Sequence, residues 1–220
     1  MKHSIFSTGI LAALLLSACA ARDPHEVANP DPNHIHVDFA VWVDIDAETI
    51  KQVDFSGLQY MSEEYHEGNT VDPHVHPLKQ YLHLHDGNGH VIHSHKPGQT
   101  LGDFFRSMGG EMITGPVQRS DGRNYPENTI EWPDGEYTVG RSGNSKLHMY
   151  VNGGEVVFNP DYVLYDGDKI LIITTSNQQQ IDHALSMMTD DACLYSKRCP
   201  WRGEPPVENC IADPKVPCVE

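Results

Sequence analysis

The stretch that decides the reading is Leu82–His95, "LHLHDGNGHVIHSH", in which five of fourteen residues are histidine. Leu82 and Leu84 alternate with His83 and His85. The turn formers Asp86-Gly87-Asn88-Gly89 follow, and the chain returns through Val91, Ile92, His93 and His95. This is the pattern of a β-hairpin. Its register matters, because a slip of one residue moves every side chain of a strand to the opposite face. Asp86 at the first turn position and Gly89 at the last suit a three-residue loop, a type I turn followed by a left-handed glycine. Such a loop pairs His85 with Val91 and His83 with His93. His83, His85, His93 and His95 then share one face, and Leu82, Leu84 and Ile92 share the other. Loops of two or four residues would put Ile92 among the first histidines, a poorer division of apolar from polar.

Upstream, His34–Ile45, "HIHVDFAVWVDI", alternates cleanly. Ile35, Val37, Phe39, Val41 and Val43 take one face, and His34, His36, Asp38, Ala40 and Trp42 the other. This predicts a half-buried strand. A second strand is expected over Ile50–Phe55, while 60–78 reads as loop. Downstream, "TLGDFFRSMG" (Thr100–Gly109) predicts a short helix. Thr100 caps it, Asp103 sits in its first turn, and Leu101, Phe104, Phe105 and Met108 form its apolar stripe. Residues 110–145 are turn-rich and predict an excursion with one small hairpin. "KLHMYVNGGEVVF", "DYVLYDGDK" and "ILIITTS" then read as three strands. Ser176 with Gln179 predicts a capping box for a last helix striped by Ile181, Ala184, Leu185 and Met188.

Ten of the fourteen histidines fall between His34 and His95, in four His-x-His pairs (34/36, 74/76, 83/85, 93/95) plus His66 and His90. In a strand, residues i and i+2 share a face about 7 Å apart, and cross-strand partners lie about 5 Å apart. Imidazoles so placed converge on one ion, and neutral imidazole suits Zn or Cu. His83, His85, His93 and His95 are the leading candidate ligands, with His34 and His36 next if their strand lies alongside. His3 and His25 lie in the first 33 residues and read as incidental, while His148 and His183 stand alone and read as structural or exposed.

Before the hairpin, "MKHSIFSTGILAALLLSAC" has the basic start and short apolar run of a signal peptide, too short for a permanent span. Leu16-Ser17-Ala18-Cys19 resembles the lipobox of bacterial lipoproteins. That resemblance makes Cys19 the lipidation site, 1–18 the signal and 19–33 a polar tether. It implies an exported, membrane-anchored protein facing the cell surface or periplasm. The domain proper is expected over 34–190, with a cysteine-containing tail over 191–220. Lys2 leaves with the signal and no acid does, so 14 basic residues face 31 acidic ones. This balance argues against nucleic acid and against anionic lipid headgroups, leaving the lipid anchor as the membrane contact. Cys193, Cys199, Cys210 and Cys218 lack the paired clips of zinc ribbons. In an oxidising compartment they read as two disulfides, with three pairings open.

The order strand, strand, helix, strand, strand, strand is that of a β-grasp domain. "LHMYVNG…YVLYDGDKILI" resembles the second half of ubiquitin-like sulfur-carrier proteins, with their VNG turn. The expected fold is therefore α+β: a β-grasp-like mixed sheet with one short packed helix, an added N-terminal strand, a C-terminal helix and a disulfide-stapled tail. The carriers' Gly-Gly tail is replaced in this chain by a helix and cysteines, so their activity is not implied. Four motifs, "HIHVDFAV", "HLHDGNGHVIHSHKPGQTLGDFF", "YVNG" and "DDACLYS", resemble a histidine-rich group of exported, often membrane-anchored prokaryotic proteins. That likeness implies export but no activity. "HVIHSH" is similar to the H-x-x-H-x-H motif of streptococcal surface histidine-triad proteins, which are linked to zinc.

Two function classes stand first. One is a lipoprotein that captures or buffers a divalent transition metal. The other is a metalloenzyme with an open three-histidine site for hydrolysis or hydration, in which Glu63, Glu64 or Glu67 would serve as base. No H-E-x-x-H, G-x-S-x-G or Walker motif is present, which favours binding. A third class is a metal-free surface domain that responds to pH through its histidines. The disulfide expectation is directly testable. Mass spectrometry of exported, unreduced protein should find Cys193, Cys199, Cys210 and Cys218 in two bonds, and four free thiols would refute it.

Overall fold

The computed structural model describes residues 24–46, 48–56, 78, 81–84, 87–118, 122, 124–125, 128–131 and 145–206. The expected signal and Cys19, the loop acids, His66, His74, His76, His85, Cys210 and Cys218 lie outside them. The chain is α+β, built on a seven-stranded mixed sheet with short helices.

Strand β1 (Ile35–Asp44) is the middle of that sheet. On one edge it pairs parallel with β11 (Lys169–Thr175), Phe39 facing Ile170. On the other it pairs antiparallel with β2 (Ile50–Gln52) and with β4 (Val91–Ser94). Strand β3 (Leu82–His83) flanks β4; β9 (Lys146–Val151) and β10 (Gly154–Val156) extend the sheet beyond β11. The order β4-β1-β11-β9-β10, with one central parallel pair, is β-grasp-like. The N-terminal strand, read as an addition to the fold, takes its central place. Asn152 and Gly153 both have positive φ at the β9–β10 turn, as a two-residue primed turn requires.

One face of the sheet carries Val37, Phe39, Val41, Leu82, Ile92, Met149, Ile170 and Ile172. Helix α1 (Leu101–Ser107) packs there through Leu101, Phe104, Phe105 and Met108. The rings of Phe104 and Phe105 meet Phe39 edge-on at 5.1 and 5.8 Å. The capping box expected at Thr100 and Asp103 forms, each side chain accepting the other's amide. The opposite face is covered as well, by α2 (Gln178–Ser186) and α3 (Ala192–Tyr195). Strand β1 is thus buried on both faces, not half-buried as its alternation suggests. Its even positions divide. Ala40 and Trp42 join Tyr150, Leu171, Ile173, Ile181 and Ala184 under α2, while His34, His36 and Asp38 lie toward the tail.

Five other expectations change. The hairpin register holds at His83↔His93, but the left-handed glycine is Gly87, not Gly89. Gly89 serves close packing instead, since a Cβ there would lie 2.4 Å from the Ser56 amide nitrogen. The segment "DYVLYDGDK" is not a strand. Its carbonyls and amides bond to the start of α1 (Leu101 N to Tyr162 O, Leu164 N to Gln99 O), and the Asp168 carboxylate accepts from Tyr162, Tyr165 and Asn152. Asn177, not Ser176, caps α2, accepting from the Gln179 amide. Residues 111–131 form two small ladders, β5 (Glu111–Ile113) with β8 (Thr129–Glu131) enclosing β6 (Val117–Gln118) with β7 (Asn124–Tyr125). Strand β2 also stops at Gln52.

Core burial and helix capping at α1 make different stability demands. Phe104→Ala should cost about 3–5 kcal/mol through lost burial and a cavity, against about 1 kcal/mol for Thr100→Ala. Urea denaturation of both variants checks the ranking.

Candidate metal centre

The register of three adjacent strands brings the histidines together. His83 faces His93 across β3–β4, and His93 faces His36 across β4–β1. These three stand abreast in one row. The next step of the same register sets His34 opposite His95, their rings stacked 4.0 Å apart. Strand period points all five to the face away from α1. Ring centroids of His34 and His36 lie 4.4 Å apart, His36 and His93 4.6 Å, and His83 and His95 5.0 Å. All are buried, and the most exposed, His34, shows 8 % of its surface.

Within this layer, His34, His36 and His93 each offer a ring nitrogen such that all three atoms lie within 4.8 Å of one another. The protein therefore has a buried histidine cluster close enough to hold a metal ion. Nε2 of His34, Nε2 of His93 and Nδ1 of His95 are buried atoms that make no hydrogen bond, although each ring contacts its neighbours. Imidazole nitrogen is a fitting donor for a borderline ion, and no carboxylate belongs to the triad. His83 and His95 share the layer without joining the triad, so His34 and His36, ranked second from sequence, stand at its centre.

The roof comes from the cysteine tail. The Tyr195 ring lies 5.5 Å from His36 and 5.0 Å from His93, and its hydroxyl accepts from Asn88. His36 Nδ1 is 2.8 Å from Ser196 Oγ, which in turn donates to Asp166. Arg198, 6 % exposed, bridges Asp166 and Glu26. A disulfide, Cys193–Cys199, closes the loop that carries Tyr195, Ser196 and Arg198. A cleft lined by Asp31, Tyr195, Ser196 and Lys197 reaches His34 and His36 from outside.

Asp38, two residues beyond His36 on the same face, fastens this roof. Its carboxylate accepts from the Thr189 hydroxyl and the amides of Asp191 and Ala192 at the start of α3. Burial raises its carboxyl above the ordinary value, outweighing these donors and the charge of Lys169. Asp38 is legible in the sequence as a polar residue facing with the histidines. Tyr195, Ser196 and Asp166 are not, because no spacing links them to His36 across 160 and 130 residues. Comparison with protein-family models, curated proteins and solved structures finds no match for the chain.

The shifted carboxyl carries a signed prediction. A raised folded value means that the folded chain keeps this proton to higher pH than the unfolded chain does. The stability it contributes is full below the ordinary value of 3.8 and is lost as pH rises through the folded value. In metal-free protein, the urea midpoint of wild type relative to Asp38→Asn should fall across that window and then level off. A difference that grows with pH there would refute the shift.

Proposed function

We propose that this is an exported, lipid-anchored protein that binds a divalent transition metal, Zn or Cu, for capture or buffering. The observation that carries the reading is the triad His34, His36 and His93, with three ring nitrogens within 4.8 Å in a buried layer. Three imidazoles held by strands leave little ordering to be done when the ion arrives, which favours tight binding. The signal-like start, the Cys19 lipobox and the four motifs of the exported histidine-rich group support export and anchoring. The Cys193–Cys199 bond suits an oxidising compartment. Among the described residues no helix is long and apolar enough to cross a membrane.

A second reading follows from the cleft that reaches His34 and His36. Water or a small substrate entering there would find an ion with a free position, the arrangement of zinc hydrolases and hydratases. Turnover of an activated ester by zinc-loaded protein, abolished by His36→Ala, would favour it over storage.

Calorimetry with Zn(II) and Cu(II) decides the main proposal. Wild type should show a saturable site whose affinity falls as pH is lowered, since protons compete for the same nitrogens. His36→Ala or His93→Ala should weaken binding on the order of 100-fold or more, losses beyond those typical of outer contacts. His83→Ala should cost less, and His25→Ala with His183→Ala nothing. Absence of a saturable site, or wild-type affinity in His93→Ala, would leave the metal-free, pH-responsive surface domain as the better reading.

A further inference from the structure

We infer that Ser196 sets the tautomer of His36, so that His36 presents Nε2 to the ion; this rests on the metal-binding reading. The argument is a count of protons. Asp166 Oδ1 accepts the His36 amide at 3.0 Å and the Ser196 hydroxyl. Its Oδ2 faces Arg198 Nη1 at 3.2 Å, and Arg198 also pairs with Glu26. A carboxylate held against a guanidinium is an acceptor only. The single proton of Ser196 is therefore spent on Asp166, and its oxygen must accept on the other side. The group it accepts from is His36 Nδ1, 2.8 Å away. A neutral imidazole has one N–H, so placing it on Nδ1 leaves the lone pair on Nε2.

The hydroxyl is well held for this task. The Ser196 amide bonds to Ala192 O at 3.0 Å, ending α3. The Arg198 amide bonds back to Cys193 O at 2.8 Å inside the disulfide-closed loop. Ser196 and His36 are both buried, and at 2.8 Å their contact is direct, with no room for a water between the two atoms. A ligating histidine is commonly oriented in this way, its second nitrogen donating to a fixed acceptor that selects the tautomer and aims the ring. Ser196 is then a positioning residue acting through His36, and Asp166 with Arg198 fixes Ser196.

A purely structural role, tying the tail to the sheet, would leave the tautomer untouched. The test uses histidine-¹⁵N-labelled full-length protein, chelator-treated, above the pH at which imidazoles protonate. Long-range ¹H–¹⁵N spectra then show which His36 nitrogen carries the proton. Wild type should carry it on Nδ1. In Ser196→Ala the population should shift toward Nε2–H, and Zn(II) affinity should fall on the order of 10–100-fold. Ser196→Thr keeps the hydroxyl and should restore both readouts. If Ser196→Ala does not fold, wild type and Ser196→Thr still report the tautomer. Nε2–H on His36 in wild type that binds zinc overturns the Ser196 role alone, as does wild-type tautomer and affinity in Ser196→Ala. Wild type with the Nδ1–H tautomer but no saturable zinc site overturns the metal reading, and with it the role of His36 as a ligand.

Discussion

Strand β1 is covered on both faces, and the rest of the structure answers to its two-residue period. Ile35, Val37, Phe39, Val41 and Val43 turn toward α1. The alternate positions, His34, His36, Asp38, Ala40, Trp42 and Asp44, are buried as well, on a strand that lies inside the sheet with β11 on one side and β4 and β2 on the other. Burying polar groups without partners costs several kcal/mol. The chain meets this in two ways. Helix α2 shields the apolar half of that face, and the tail brings donors to Asp38 and an oxygen to His36.

What is legible in the sequence follows the same period. The alternation of Leu82, Leu84 and Ile92 against the histidines carries the register His83↔His93, and the cap at Thr100 is explicit in its spacing to Asp103. These are local features, set by neighbours a few residues away. The centrality of β1 is not legible, since it depends on pairing with β11 some 130 residues on, and pattern alone does not rank strands within a sheet. For the same reason the sequence ranks the histidines of β1 behind those of the hairpin. "DYVLYDGDK" misleads because its hydrophobic residues pack a loop whose backbone groups find partners in the α1 turn and in Asp168. Ser176 misleads because the adjacent Asn177 is as good a cap and lies one residue closer to the helix.

Imidazoles seated on strands differ from imidazoles on a mobile loop in what binding requires of them. Their spacing is a property of the sheet, so the ring separations of 4.0 to 5.0 Å between several neighbours exist before any ion arrives. The roof of Tyr195 and Ser196 adds orientation, which the sheet alone does not supply. Position thus comes from register and direction from the tail. The disulfide between Cys193 and Cys199 keeps the second near the first.

The wide separation of these parts along the chain also bears on folding. The β1–β11 ladder and the His36–Ser196 contact span most of the described chain, with separations of 130 and 160 residues for the bonds Asp44–Thr174 and His36–Ser196. Such non-local contacts are slow to form, because the loop between them must be closed before they are gained. A growing chain that ends before β11 has exposed β1 with no parallel partner, and one that ends before residue 196 has histidines without a roof. Enclosure of the imidazole layer is therefore a late event, completed only after the segment that carries Tyr195 and Ser196 has been made.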